Sequence, residues 1–327
     1  MQVLVTGGAG YIGSHTAKTL ARAGYEPIVV DNLRNGHRWA VRWGPLVEMD
    51  LTDRDVLRRV FEQYRIEAVI HFAALIEAGE SVRDPAKFFR NNVANTLNLL
   101  DAMQEGGVKR IVFSSTAAVY GDPRETPMGE DHPKEPVNPY GESKLFVERA
   151  LGWYGQAYDL RWMALRYFNA AGADPEGELG ERHDPETHLI PRAVEASLGR
   201  AAALKVFGTD YPTSDGTAIR DYVHVSDLGQ AHVLALKHLT SGGPSMALNL
   251  GTGKGYSVRE VLSTIESVSG RKVPAEMSGR RAGDPASLVA RSERAKSVLR
   301  WSPRYSDLAT IVKTAVAWHA SRAAGKN

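Results

Sequence analysis

The chain has no cysteine in its 327 residues, which excludes disulfides, thiol catalysis and thiolate metal sites and fits a cytoplasmic location. It also has no excess of charge of either sign. Forty Lys and Arg stand against 38 Asp and Glu, and no basic run is present to track a phosphate backbone, so nucleic acid is not expected as a partner. No apolar stretch approaches the length of a bilayer span. The opening residues Gln2-Val3-Leu4-Val5-Thr6 lack the charged lead and apolar run of an export signal. A soluble, unprocessed protein without a membrane partner is expected. Internal repeats and low-complexity tracts are also missing. What remains is ordinary globular material: 43% hydrophobic residues, enough for a sizeable core in one large domain or two modest ones.

Short β-branched runs bounded by turn residues recur through the first half: Gln2 to Thr6, Pro27 to Asp31, Leu46 to Asp50, Ala68 to Phe72, Arg110 to Ser115 and Met163 to Phe168. Each reads as a buried strand. Between them, Ile12 to Ala23, Asp53 to Tyr64, Pro85 to Gln104 and Tyr140 to Ala157 carry apolar residues at helical spacing. Strand alternating with helix predicts parallel strands with right-handed crossovers, an α/β doubly wound sheet of Rossmann type. From about Asn169 the chain turns to Gly-, Pro- and acid-rich loops, which predicts a smaller mixed α/β lobe. The expected division is residues 1–170 for the dinucleotide domain and 171–327 for the lobe, with a segment near 220–250 returning to the first domain. A strand over Asp221 to Val225 leads into Ser226-Asp227, where either side chain could cap a helix start.

Gly7-Gly8-Ala9-Gly10-Tyr11-Ile12-Gly13 follows the first strand and opens the first helix. Gly7, Gly10 and Gly13 let the backbone turn tightly and approach a pyrophosphate seated on the helix N-terminus. Asp31 ends the second strand eighteen residues after Gly13, where a carboxylate binds ribose hydroxyls and repels a 2′-phosphate. NAD is therefore expected rather than NADP. In Pro139-Tyr140-Gly141-Glu142-Ser143-Lys144, Tyr140 and Lys144 stand four apart and share one helix face. A phenol ordinarily titrates near ~10, and a neighbouring ammonium together with a positive nicotinamide would favour its phenolate, making Tyr140 a base. Ser114-Ser115-Thr116 ends the fifth strand at the carboxyl edge of the sheet, where Thr116 could exchange hydrogen bonds with a sugar hydroxyl.

At this point the chain resembles the extended short-chain dehydrogenase/reductases, and among them the UDP-glucose 4-epimerase (UDP-galactose 4-epimerase) group. The resemblance runs from residue 1 to about 319. It is carried by Thr6 through His15, Asp31-Asn32-Leu33, His71-Phe72-Ala73-Ala74, Phe113 through Gly121, Tyr167-Phe168-Asn169, Gly208 through Thr217, Arg220 through Val225 and Arg281-Ala282-Gly283-Asp284. It implies a cytoplasmic homodimer in galactose and nucleotide-sugar metabolism, its interface built from helices Pro85 to Gln104 and Tyr140 to Ala157. It also implies NAD contacts at Tyr11, Ile12, Asp31, Asn32, Asn35, Gly36, Asp50, Leu51, Phe72, Ala73, Ala74, Asn92, Lys144 and Phe168. Asn92 equally suits a helix surface, and Ile76 stands where the family often has lysine.

On the substrate side the resemblance assigns a UDP-hexose to Thr116, Tyr140, Asn169, Leu189, Arg220, Arg281 and Asp284, the arginines suiting bidentate pyrophosphate contacts. Either arginine could instead be a surface charge. His188 stands where some members carry Asn and reads as a sugar contact or a plain loop histidine. Leu288 stands where some members carry a bulky tyrosine, which implies that UDP-N-acetylglucosamine and UDP-N-acetylgalactosamine are accepted too. His71 reads as packed at a strand end and His224 as lying within a strand, so no metal site is expected. The expected reaction is transient oxidation at sugar C4 and return of the hydride to the opposite face. The rivals are a 4,6-dehydratase, a uronate epimerase or decarboxylase, and a non-catalytic NAD-sensing scaffold. A dehydratase usually follows its threonine with Asp-Glu, whereas Ala117-Ala118 follow Thr116.

Overall fold

The computed structural model describes residues 1–281 and 283–322, so Ala282 and the end of the expected lobe, 323–327, lie outside the described residues. The first half runs β1 (Gln2–Thr6), α1 (Tyr11–Arg22), β2 (Glu26–Asp31), β3 (Leu46–Glu48), α2 (Arg54–Gln63), β4 (Ile66–His71), α3 (Ala78–Arg83), α4 (Pro85–Phe88), α5 (Asn95–Glu105), β5 (Arg110–Thr116), α6 (Pro139–Tyr158) and β6 (Arg161–Tyr167). The second half runs β7 (Asn169–Ala171), α7 (Leu189–Ser197), β8 (Leu204–Phe207), β9 (Ile219–His224), α8 (Val225–Thr240), β10 (Met246–Leu250), β11 (Gly255–Ser257), α9 (Val258–Ser269), β12 (Ala275–Ser278), β13 (Ser287–Leu288), α10 (Glu293–Leu299) and α11 (Leu308–Arg322). Among the described residues no helix is long and apolar enough to cross a membrane.

Seven parallel strands form the main sheet in the order β10-β6-β5-β4-β1-β2-β3. Alternating residues of each strand feed two apolar layers. Val3, Val5, Ile70 and Leu165 pack toward Leu20 of α1 and Leu228 and Leu236 of α8, while Leu4, Val69, Ile111 and Ala164 pack toward Leu57, Leu99 and Leu151 on the other face. Strand order reverses between β1 and β4, so the loops leaving those two strands diverge and open a crevice at the carboxyl edge. Both loops hang from one acceptor: Phe72 N and Ala73 N donate to the Thr6 carbonyl at 2.9 and 3.1 Å.

The smaller lobe is built on β9, which pairs with β7, β11 and β13, and on a separate β8–β12 pair. Helices α7, α9 and α11 cover it around Val194, Ile265 and Ile311. The chain then sends α8 and β10 back to the main sheet, where β10 pairs with β6. Two buried ionic groups tie the parts together. Lys18 of α1 donates to Asp174 at 2.7 Å and Glu176 at 3.1 Å and pairs with Glu178 at 2.7 Å. Asp221 accepts from Thr252 N, Thr252 Oγ1, Gly253 N and Ala290 N.

Two local expectations are corrected. The helix expected over Pro85 to Gln104 is interrupted by a π-helical stretch, Phe89–Ala94, between α4 and α5. That wide turn holds Asn92, whose amide is pinned to the chain below the crevice, and an extra residue per turn is the usual device for aiming one side chain out of helical register. At α8 the cap is neither Ser226 nor Asp227 but His224, whose ring accepts from Ser226 N at 3.1 Å. Asp227 instead accepts from Arg304 N, Tyr305 N and Ser306 Oγ, at 2.8, 2.9 and 2.6 Å, anchoring the loop before α11.

Candidate active site

The crevice opens into a cleft of about 560 Å³ between the carboxyl edge of the sheet and the small lobe. Every residue assigned above to a cofactor or sugar nucleotide lines it, with two exceptions, Asn92 and Leu288. Its floor is the glycine loop. Gly7 has φ +71°, and a Cβ there would lie 2.6 Å from Ala73 N. A Cβ on Gly13 would lie 2.2 Å from the Gly7 carbonyl. Both positions need glycine because backbone, which cannot swing away, occupies the space. Gly10 caps α1 with no side-chain bond, which leaves the first-turn N–H groups open to an anion. Asp31, buried at the end of β2, accepts from Ala9 N at 3.0 Å and Leu33 N at 2.9 Å; burial raises its carboxyl above the usual range against those two bonds. Burial would raise Asp50 as well, but Thr52 N and Asn32 Nδ2 donate to it and hold it low. The bare helix start, a cradle that admits no Cβ at Gly7 or Gly13 and a carboxylate at the tip of β2 together fit a dinucleotide with free ribose hydroxyls.

The second wall comes from β5 and α6. Asn138 caps α6 by accepting from Gly141 N at 2.9 Å, and Pro139 takes the first helical position. This start brings Tyr140 and Lys144 under the end of β5. Lys144 Nζ donates to the Ser114 carbonyl at 2.9 Å and sits 4.9 Å from the Phe113 ring centroid. Burial pulls the ammonium down to about 7, with the Glu148 anion one helical turn on acting the other way. Burial pushes the Tyr140 phenol up to about 12, a rise that its hydrogen bond with Thr116 reduces. The expected phenolate is therefore not a property of the protein's own groups at neutral pH. Burying either ion costs more than its neighbours return, and a further positive charge is needed at the phenol.

On the far side, Arg220 donates to Asp284 and, at 2.8 Å, to the Ile219 carbonyl, so this arginine is not a free surface charge. Arg281 lies over the Phe207 ring, 4.4 Å from its centroid. The Gly208 to Thr217 turn supports this wall, with Tyr211 donating to the Asp284 carbonyl at 3.2 Å. Asn169 donates to the Asp221 carbonyl at 3.0 Å, and Leu189 opens α7. His188 precedes α7 and bonds Glu186 rather than capping the helix.

Asn92 lies behind the cleft wall, not on it. Its carbonyl accepts from Leu75 N at 2.8 Å and its amide donates to Leu75 O at 3.0 Å and Ser143 Oγ at 3.1 Å, so it positions the Ala74–Leu75 wall and α6. Leu288 pairs with Arg220 where β13 meets β9, and it packs, as Phe168 does, against the apolar cluster that contains Tyr120, Met128 and Leu145. Sequence reasoning did not single out Tyr167, whose hydroxyl bonds Ser114 Oγ beside the centre, nor Phe207 beneath Arg281. It also passed over Glu181 and His183 on the same cleft. Tyr167 opens the motif Tyr167-Phe168-Asn169 without a role of its own, and Phe207 precedes the Gly208 motif by a single residue; Glu181 and His183 belong to a short run of alternating acids and histidines.

Fold and site thus define a dinucleotide-dependent enzyme whose Tyr-Lys pair faces a second, arginine-bearing subsite across one cleft. Residues 3–251 match the model of the NAD dependent epimerase/dehydratase family. A UDP-glucose 4-epimerase of Rhizobium leguminosarum bv. trifolii is 56% identical over 97% of each chain. A crystal structure of UDP-glucose 4-epimerase from Brucella ovis in complex with NAD is 55% identical, covers 97% of each chain and superposes with a TM-score of 0.95. Another, from Bifidobacterium longum in complex with NAD+ and UDP, is 37% identical over 100% of each chain with a TM-score of 0.94. The chain belongs to the NAD dependent epimerase/dehydratase family.

Proposed function

We propose that this protein interconverts UDP-glucose and UDP-galactose, holding NAD in the Gly7–Gly13 crevice and the UDP-sugar between Tyr140 and Arg220. The observation that carries this reading is the cleft itself: Thr116, Tyr140 and Lys144 line one wall, Arg220, Arg281 and Asp284 the other, and the dinucleotide cradle forms the floor. Bound NAD supplies a hydride acceptor for sugar C4, the positive charge that the Tyr140 phenol lacks among its protein neighbours, and the hydride that is later returned.

The chain's own residues supply the rest. Tyr140 Oη takes the proton of the C4 hydroxyl, with Thr116 bonded to it as the adjoining donor and acceptor. Lys144, fixed on the Ser114 carbonyl, stands as the cation that stabilises the ionised phenol from below. Arg220 and Arg281 grip the pyrophosphate, Asp284 the uridine ribose, and the tethered sugar ring turns to offer its other face. Protonated Tyr140 then gives its proton back. Ala117 and Ala118, directly after Thr116, leave no carboxylate for moving protons at C5 and C6, which disfavours the dehydratase. Purified protein given UDP-galactose and no added cofactor should form UDP-glucose, and Tyr140→Phe should slow this by ~10²–10⁴-fold, the usual worth of a positioned base. No conversion by either protein would refute the proposal and favour a scaffold, and equal non-zero rates would remove Tyr140 as the base.

Leu288 is smaller than the tyrosine that some members carry there and packs against the Tyr120 cluster, which leaves room for an N-acetyl group, so the proposal extends to UDP-N-acetylglucosamine and UDP-N-acetylgalactosamine. Lack of turnover of UDP-N-acetylglucosamine would remove that extension. The proposal also includes a homodimer. Phe146 and Trp153 lie seven apart on α6 and are 46% and 69% exposed, and Phe89, in the π-helical stretch that packs on α6, is 38% exposed. A cytoplasmic home fits the absence of cysteine.

A further inference from the structure

Outside the Tyr140 centre, the strap leading into α7 gathers two histidines and two glutamates. One donor atom from each of Glu181, His183, Glu186 and His188 lies within 4.8 Å of the other three. His188 Nδ1 stands 2.9 Å from Glu181 Oε1 and 2.9 Å from Glu186 Oε1. His183 Nδ1 stands 3.3 Å from Glu181 Oε1 and 3.4 Å from Glu186 Oε2. A tetrahedral ion with bonds of ~2.0–2.2 Å to nitrogen and oxygen sets adjacent ligands about 3.4 Å apart. The four nitrogen–oxygen separations, taken to one oxygen of Glu181 and to both oxygens of Glu186, are each within about 0.5 Å of that edge.

We propose that Glu181, His183, Glu186 and His188 form a binding site for one divalent transition ion of the zinc class. The donor set is two imidazoles and two carboxylates, which suits a borderline ion, whereas calcium and magnesium take oxygen alone. His183 Nδ1 is enclosed and has no hydrogen bond of acceptable geometry, since it lies between the two carboxylates without directing an N–H at either. A lone pair at that nitrogen would meet an ion held between them. An outer shell is in place as well. Thr187 N and His188 N donate to Glu186 Oε1 at 2.8 and 2.9 Å, and Trp318 Nε1 donates to the Glu181 carbonyl at 3.2 Å.

The site also balances its charge. Two glutamates with two imidazolium ions sum to zero, and so do two glutamates, two neutral imidazoles and one divalent ion. Protons are thus the competitor, and ion binding displaces them. Tyr11 is a further titratable group facing the cluster, its ring meeting that of His183 edge-on at 6.4 Å. Burial, with Glu181 and Glu186 adding to it, keeps that phenol neutral. His37 Nε2 bonds the Arg182 carbonyl at 3.0 Å, so the strap that carries the site rests on the loop after β2.

The test uses untagged holoprotein freed of metal by a chelator, titrated with zinc chloride by calorimetry and with cobalt(II) by visible absorption. One zinc ion should bind per chain, more tightly at about pH 8 than at about pH 6. Cobalt should show the strong visible bands of tetrahedral coordination. His183→Ala and Glu186→Gln should each weaken zinc by roughly 100-fold or more. His183→Asn stands in should the alanine variant not fold, with bound cofactor and circular dichroism reporting folding. No stoichiometric zinc in the parent protein, an octahedral cobalt spectrum, or unchanged affinity in the folded variants would overturn the site.

Discussion

Replacing Glu148 by glutamine removes one charge from the most enclosed ion pair in the catalytic half. Arg166 Nε donates to Glu148 Oε1 at 2.8 Å, a second guanidinium nitrogen reaches Oε2, and Ser115 Oγ donates to Oε1 at 2.5 Å. The two side chains are 3% and 6% exposed, which decides the size of the effect: water cannot replace the lost partner. Arg166 also donates to the Tyr120 hydroxyl at 2.9 Å, which in turn donates to Asn249 Oδ1, so its departure would cost that hydroxyl its donor. Breaking one side of such a pair typically costs ~3–5 kcal/mol, because the remaining ion stays buried. At ~2–4 °C per kcal/mol for a chain of this class, the midpoint of thermal unfolding should fall by roughly 6–20 °C. Differential scanning calorimetry at matched cofactor content measures it. The Glu148→Gln/Arg166→Met double variant should regain part of the loss, since no unpaired ion remains. Glu148 is also the anion opposing the depression of Lys144, so Glu148→Gln should lower kcat more than it raises KM. A Glu148→Gln midpoint within about 2 °C of the parent would refute this reading of the pair.

Three further outcomes follow from the structure. Gly13→Ala places a Cβ 2.2 Å from the Gly7 carbonyl, forcing backbone movement on the order of 1 Å, so the purified variant should carry little or no NAD as read by absorbance after denaturation. Retained stoichiometric NAD would count against the cradle. Burial lowers His15 and His232 to about 4 and His71 to about 3, so the unfolded chain binds protons that the folded chain refuses. Their contribution is present above pH ~6.5 and is lost as pH falls, by about 2 kcal/mol per histidine at pH 5; denaturation at pH 7.5 and 5 should show this, with a smaller drop for His232→Asn. Trp153→Asp should shift the protein from dimer to monomer in analytical ultracentrifugation; an unchanged dimer would move the interface elsewhere than α6.

Much of the sheet was legible because buried parallel strands are short, β-branched and bounded by turn residues, as at Gln2–Thr6 and Arg110–Thr116. The cradle was legible for a similar reason: Gly7 and Gly13 serve backbone geometry, which sequence shows directly. What escaped was anything decided by a distant partner. Asn92 was left between a cofactor contact and a helix surface because the sequence cannot show that Leu75 bonds both ends of its amide. Asp227 looked like a cap because the loop at 304–306 that claims it lies far along the chain. For Tyr140 the pattern showed Lys144 nearby and called for a positive nicotinamide as well, but not how strongly burial raises the phenol. The spacing Glu181-x-His183-x-x-Glu186-x-His188 was visible all along, yet only the bend into α7 turns those four residues toward one point.

The proposed reaction turns on a hydride that leaves sugar C4 and returns to the same carbon from the other face. UDP-galactose deuterated at C4, incubated in ordinary water with the purified protein and no added cofactor, tests that most directly by mass spectrometry of the product. The predicted result is UDP-glucose that keeps its deuterium, with little reduced cofactor accumulating. Loss of the label to solvent, or no conversion at all, would contradict it.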